Sequence, residues 1–449
     1  MIKTAVYTSK EIADALGAKL YGKDVQISGI TTDSREFSHD PTCFFALKGE
    51  NFNGADFIEE ACANGAELIV TDREIALPVS VIYVEDVKNA FCNLARYHKG
   101  KTKIIGVTGS VGKTTVKDMI KAVLSEKYSV CATYSNNNNE IGVAQTLFSI
   151  RDEEYCVVEM GMRGTGEIEF LSEICEPDTA VITNAGSAHI ERLGSRENIF
   201  CAKAEILKNT KKFAIVPGEQ RFRNLDYGNI KPCFVGEGGD FAITEPSYTE
   251  TGIKFGISEK IPSGNAVKKT DIALNSFGIH NAQNAAFAYA AGRVCGMEAE
   301  DIKSGLLKYK SEKMRESLVE TGTFSMILDC YNASYEGMKS ALISLCEYAK
   351  IKNLAPYAML GDMLEVGDFA REYHYRIGEF ARDLGIKNIF VLGENAKYLS
   401  DGFCGGVVCR SVRDASRKIK SSLEKGDVIL VKASRGMHFE KIVDFMKEM

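Results

Sequence analysis

Tryptophan is absent from this 449-residue chain, and no apolar run approaches the roughly 20 residues that a membrane-crossing helix needs. The opening Met1-Ile2-Lys3-Thr4-Ala5-Val6 lacks the long apolar stretch of a secretory signal. No C-x-x-C pair occurs among the 13 cysteines, so a zinc site is not expected. Their odd number and scatter read as reduced, mostly structural thiols in a cytoplasmic protein. The C-terminal part lacks a G-x-G-x-x-G fingerprint as well, so that domain is not expected to hold NAD. A net charge of −6 argues against general nucleic-acid binding. What remains is an ordinary globular composition, 45% hydrophobic and 26% charged, long enough for two to four domains.

Ile104-Ile105-Gly106-Val107-Thr108-Gly109-Ser110-Val111-Gly112-Lys113-Thr114-Thr115 organises the rest. An apolar run reads as a buried strand, a glycine turn follows, and Lys113 opens an amphipathic helix to about Glu126. Strand, turn and helix start together make a phosphate cradle. Backbone N–H groups and the helix dipole face the anion, Lys113 adds a point charge, and a hydroxyl can hold Mg²⁺. The usual loop carries Gly where this chain has Val107, so the order here is Thr108-Gly109-x-x-Gly112-Lys113-Thr114. The bland alternative is a glycine turn beside a surface lysine.

Residues 1–100 read as a small α/β unit. Ser9–Leu16 is a helix ending at Gly17, Cys43–Leu47 and Glu67–Val70 are strands, and 57–64 is a helix. Asp33-Ser34-Arg35 is a hydrogen-bonded turn on the plain reading. On the functional one, Ser34, Arg35 and Lys48 bind a phosphorylated ligand, Arg supplying a bidentate fork. The basic stretch His98–Lys103 is a linker to a second unit, 101–312. There Tyr155–Gly161 is a strand with Glu159 at its carboxyl end, and Ala180–Asn184 is another, followed by His189. Ligands of open α/β sheets sit beyond the carboxyl ends of the strands, the edge where Lys113, Glu159 and His189 fall. With Thr114, a carboxylate and an imidazole there form a candidate Mg²⁺ shell. Taken singly, Glu159 is equally a strand-end acid and His189 a hydrogen-bonded loop residue. Glu197–Leu207 is a helix, 231–277 a small β excursion, and His280–Ala288 the start of an Ala-rich buried helix with Asn281 and Asn284 on one face. Those two asparagines cap and pack, or read a base edge. After the charged linker Lys308–Glu316, residues 313–449 alternate strand and helix in a Rossmann-like pattern.

The loop resembles that of the Mur ligases and folylpolyglutamate synthetases. Further stretches extend the likeness to the Mur ligase family over nearly the whole chain. These are Thr31–Arg35 with Phe45–Gly49, Asn138-Asn139-Glu140-Ile141-Gly142, Glu159-Met160-Gly161 through His189, and Ala202-Lys203-Ala204-Glu205-Ile206. Beyond them come Asp329–Ser334, Leu360-Gly361-Asp362-Met363-Leu364-Glu365 with His374, and Lys432–Gly436. The Tyr331-Asn332-Ala333 and Gly361–Glu365 stretches resemble members that add D-alanyl-D-alanine to UDP-N-acetylmuramoyl-tripeptide. The Asp-Asn-Pro-Arg motif of the diamino-acid-adding members is absent. Ser135 stands where the family usually has Gly, Ser334 where it has Asn, and Leu328 where it has an acid. His438 stands where a small residue is common.

The resemblance implies a three-domain α/β fold: a uridine-nucleotide-binding domain, a central phosphate-loop domain and a C-terminal Rossmann-like domain. It implies an ATP-dependent peptide ligase of peptidoglycan precursor synthesis that works through an acyl phosphate with two Mg²⁺ ions. Gly109, Ser110, Val111, Gly112, Lys113, Thr114, Thr115, Asn281, Arg315 and Asp329 would bind ATP. Ser34, Arg35, Lys48, Asn138 and Asn139 would bind the UDP substrate. Thr114, Glu159, His189 and a carbamylated Lys203 would hold metal, with Lys113, Lys203 and His189 catalytic. A monomer acting on UDP-MurNAc-tripeptide and D-Ala-D-Ala in the cytoplasm, with no nucleic-acid partner and no membrane insertion, is the expectation. A nucleotide-dependent sensor that ligates nothing, and a related ligase with another acceptor amine, are the competing readings.

Overall fold

Alternate residues of the strand Lys103–Thr108 feed two separate cores. Ile104 packs with Val158 and Ile182 on one side of its sheet, while Ile105 and Val107 pack with Val157 and Val181 on the other. A period of two with both faces apolar makes a parallel strand covered by helices on each side. The neighbours Tyr155–Glu159 and Thr179–Ile182 are both parallel to it. The structure, a computed structural model, describes residues 2–37, 39–49, 51–187, 190–249, 251–261, 267–276, 278–311 and 314–448.

Three sheets carry the chain. The first runs from Ile2–Thr8 to Leu20–Tyr21, two antiparallel edges around Gln26–Thr31, Thr42–Phe45, Ala66–Thr71 and Ser80–Tyr83, which are parallel in sequence order. The second has nine strands and the phosphate-loop strand lies inside it. Strands from Lys231 to Leu274, expected as a small β excursion, extend this same sheet. The third has Ser325–Leu328, Asp427–Lys432, Ala355–Leu360 and Asn388–Val391 in parallel, with Ser317–Glu320 antiparallel at one edge. The α/β class is as expected, in three units.

Helix boundaries follow local chemistry. Thr8, one residue before the expected start, caps the first helix in a reciprocal box with Glu11. The helix expected over 197–207 is α-helical from Arg196 to Ala204 and tightens to a 3₁₀ turn over Glu205–Asn209. Among the described residues, no helix is long and apolar enough to cross a membrane. All 13 cysteines are free thiols.

Candidate active site

The phosphate loop needs both of its glycines. Gly109 sits at φ +152° and a Cβ there would lie 1.9 Å from Thr183 Oγ1. Gly112 begins the helix Lys113–Leu124 at φ +83°, where a Cβ would lie 2.7 Å from Asn284 Oδ1. Val107, where the usual loop has Gly, pairs inside the sheet with Glu159 and Val181, so the turn starts later than in that pattern. Asn184 braces the turn: its Oδ1 accepts from Val111 N at 3.0 Å and its Nδ2 donates to Val111 O at 2.8 Å. Lys113 Nζ donates to Gly109 O at 2.8 Å, inside the loop. Burial lowers its pKa; Glu159 opposes the fall and Arg315 adds to it.

Glu159 ends its strand at the same edge. Its Oε1 accepts from Asn138 Nδ2 at 2.8 Å, while its buried Oε2 has no hydrogen-bond partner among the described residues. An orphaned carboxylate oxygen beside a phosphate loop fits a hard cation. Among the described residues, no three His, Cys, Asp or Glu gather as a metal cluster, so the remaining ligands there would be hydroxyl, phosphate and water oxygens. The neighbouring Asn139 uses its side chain to cap the helix Glu140–Phe148 through Gly142 N at 2.9 Å. His189 lies outside the described residues.

Lys203 is 1% exposed and lies beneath the cleft wall, not on it. Among the described residues its amine has no hydrogen-bond or ion-pair partner. Burial pushes its pKa well down, and the charge of Lys113 pushes it further.

The third unit closes the site. Arg315 Nη2 donates to Thr114 Oγ1 at 2.9 Å, across 201 residues of chain. Its guanidinium stacks 4.1 Å from the Tyr331 ring centroid. Asp329 is held by Lys432 Nζ, which donates to Oδ2 at 2.5 Å and to Asn332 O at 3.1 Å. Asn281 is buried, donating Nδ2 to Ser276 Oγ at 3.1 Å and to Glu316 Oε2 at 3.0 Å, and accepting from Asn284 Nδ2 at 2.9 Å. Burial raises the Glu316 pKa, which His280 at 3.6 Å opposes. Ser110–Thr115 of the loop, Glu159, Asn138, Asn139, Asn281, Arg315 and Asp329 all line one cleft of about 1510 Å³, which Gly109 does not line.

Ser34, Arg35 and Lys48 line a different place. They follow the carboxyl ends of the adjacent parallel strands Gln26–Thr31 and Thr42–Phe45, so they share one edge of the first sheet. Ser34 Oγ donates to Glu60 Oε2 at 2.7 Å, and the exposed Arg35 forks onto Asp33 at 2.9 and 2.7 Å.

Sequence reasoning missed Glu336, which spans two units. Its Oε2 accepts from Ser187 Oγ at 2.6 Å and its Oε1 from Arg196 Nη2 at 3.2 Å. The only local signal was its place one residue inside a helix capped by Ser334. The Gly361–Glu365 stretch is partly structural: Met363 N donates to His374 Nε2 at 2.9 Å, and His374 Nδ1 lies 2.6 Å from Ala370 O. Since Nε2 accepts, the proton sits on Nδ1, and burial lowers this histidine's pKa.

A phosphate loop in one α/β unit, faced by an arginine and an aspartate from a second, defines a nucleotide-dependent enzyme assembled from several domains. Family profiles described as the Mur ligase family catalytic domain, the Mur ligase middle domain and the Mur ligase glutamate ligase domain match residues 26–104, 107–292 and 314–435. A Bacillus subtilis relative, named UDP-N-acetylmuramoyl-tripeptide--D-alanyl-D-alanine ligase, is 36% identical over 462 residues, covering 99% of this chain and 98% of its own. The crystal structure of MurF from Acinetobacter baumannii superposes with a TM-score of 0.91 at 29% identity, covering 100% of both chains. MurF from Thermotoga maritima in complex with ADP gives 0.83 at 27% identity, over 93% of this chain and 97% of its own. The chain belongs to the Mur ligase family.

Proposed function

We propose that this enzyme joins D-alanyl-D-alanine to UDP-N-acetylmuramoyl-tripeptide at the expense of ATP, the last cytoplasmic step of peptidoglycan precursor synthesis. The observation that carries the reading is the shared cleft, in which Arg315 of the third unit already touches Thr114 of the phosphate loop. The end-to-end similarity to ligases bearing that name supports the choice of substrates. Units 1–100, 101–312 and 313–449 are the corresponding UDP-substrate, ATP and C-terminal domains, working as a monomer on small molecules.

The tripeptide carboxylate attacks the γ-phosphate of ATP, releasing ADP and forming an acyl phosphate. The amine of D-Ala-D-Ala then attacks the carbonyl, and phosphate leaves. A carboxylate is a poor electrophile, so phosphorylation supplies the leaving group, and charge neutralisation is the main demand on the protein. Lys113 turns from Gly109 O to the β/γ-phosphates. Gly109–Thr115 offer N–H groups to the phosphates, while Asn281 holds the base and Asp329 and Arg315 hold ribose and phosphate. Thr114, Glu159, His189 and Lys203 are the residues that would hold Mg²⁺, which supplies charge neutralisation when bound. Lys203 serves as a carbamate: the neutral amine adds to CO₂ and loses a proton, turning a buried amine into an oxygen ligand. Ser34, Arg35, Lys48, Asn138 and Asn139 bind the UDP substrate.

Purified enzyme given ATP, Mg²⁺, UDP-MurNAc-tripeptide and D-Ala-D-Ala should release ADP and yield a pentapeptide by mass spectrometry. ADP release with no new amide bond would instead mean a nucleotide-driven sensor. A product only with another amine would mean a ligase for a different acceptor.

A further inference from the structure

Glu316 is a buried acid with one oxygen left over. Its side chain is 8% exposed, its backbone sits at φ +49°, and it lines the cleft. Oε2 accepts from Asn281 Nδ2, yet among the described residues the buried Oε1 has no hydrogen-bond partner. A left-handed glutamate and an unsatisfied buried oxygen are both costly, and the two coincide where a ligand can relieve one of them.

Its position follows from a chain of contacts that begins at the phosphates. Gly112 lies against Asn284, Asn284 donates to Asn281, and Asn281 donates to Glu316. These steps lead away from the phosphate loop along one face of the helix His280–Val294. A nucleotide whose phosphates occupy the loop must send its base out of it. Arg315, adjacent in the chain, touches Thr114, so this stretch stays close to the nucleotide throughout.

We infer that Glu316 reads the exocyclic amino group of the base and selects adenine over guanine, an inference that rests on the ATP-ligase reading above. Adenine presents a 6-amino donor, which Oε1 accepts. Guanine presents the O6 acceptor at the same position, which a carboxylate oxygen repels. A site built to hydrogen-bond a group rejects the analogue lacking it, because its own polar atom is left unpaired.

The test compares kcat/KM for ATP, purine riboside triphosphate (which lacks the amino group) and GTP, with both other substrates saturating. The parent should favour ATP over the purine analogue by about tenfold or more. Glu316→Ala should lower ATP use while bringing that preference close to unity. Glu316→Gln, whose amide can donate to O6, should raise GTP use relative to ATP by about tenfold. Glu316→Gln keeps the shape of the side chain, so it decides the matter if the alanine variant does not fold. The same ATP preference in parent and variants, whatever the absolute loss, would show that Glu316 only props Asn281 and would overturn the inference. A parent that releases no ADP with ATP and both substrates overturns the ligase reading, and this inference with it.

Discussion

Lys203 shows how much a single side chain can leave unresolved in a sequence. Its neighbours Ala202 and Ala204 and its helical setting are equally those of a solvated lysine. What separates the two is burial, with no partner for the amine among the described residues. Lys203→Ala should lose most of kcat while the KM for ATP stays within a few-fold, and added formate or acetate should restore part of the rate. Lys203→Met should be as inactive yet at least as stable to heat as the parent, because an apolar chain of similar size replaces a buried amine that has no partner among the described residues. Turnover of either variant at the parent rate sinks the carbamate role. Other residues became legible only through backbone angles. Ser135 and His438 stand where small residues are usual, and both adopt left-handed conformations, at φ +52° and +54°. The hydrogen bond from Arg315 to Thr114 could not have been read from spacing.

Among the elements, Glu176 clamps the helix Val87–His98 and its following Lys99 to the central unit. It ends the helix Glu167–Cys175 and receives Lys99 at 3.1 Å, Lys211 at 3.2 Å, and Arg96. Burial works against its ionisation, but the hydrogen bonds from Lys99, Arg96 and Lys211 outweigh it and hold the pKa at about 2. A folded-state pKa below the unfolded one contributes stability above the unfolded value, and that stability is lost as the pH falls through the folded one. The window therefore runs from about 4.5 down to about 2. With the group partly solvated, Glu176→Gln should cost on the order of 1–2 kcal/mol near pH 7 and only a small part of that near pH 2, as read by denaturant melts. An equal deficit at both pH values would refute the clamp. Strand–helix alternation in the third unit was readable from apolar periodicity, and so was the buried strand before the phosphate loop. The strands from Lys231 to Leu274 were recognisable as strands but not as part of the central sheet, since pairing order depends on contacts distant in sequence.

At the scale of the molecule, chemistry is divided between units that must meet. Glu336 ties the third unit to Ser187, and Gly186 N donates to Ser110 Oγ of the phosphate loop at 3.0 Å. Glu336→Ala should therefore lower kcat about tenfold while leaving the KM for ATP within a few-fold, because it loosens closure and not nucleotide contact. A matching rise in KM with unchanged kcat would place Glu336 in ground-state binding instead. Arg35 stands off the cleft on the first sheet, so Arg35→Ala should raise the KM of the UDP substrate about tenfold and that of ATP hardly at all. Equal effects on both would mean that this sheet does not hold the UDP substrate. Each motif could be recognised within its own unit. The meeting of the phosphate loop with Arg315 and Asp329 on one cleft was implied only by the family resemblance, since it is made by surfaces that carry no sequence signature.

On the carbamate reading, the buried amine of Lys203 also ties the enzyme to a dissolved gas. A carbamate forms and decays reversibly, so its occupancy follows the carbon dioxide content of the solution. Enzyme equilibrated under argon in buffer stripped of CO₂ should start slowly and recover on addition of bicarbonate, with a lag that shortens as the bicarbonate rises. The formate-rescued Lys203→Ala variant should be indifferent to both treatments. A parent enzyme that is equally indifferent has no carbamate.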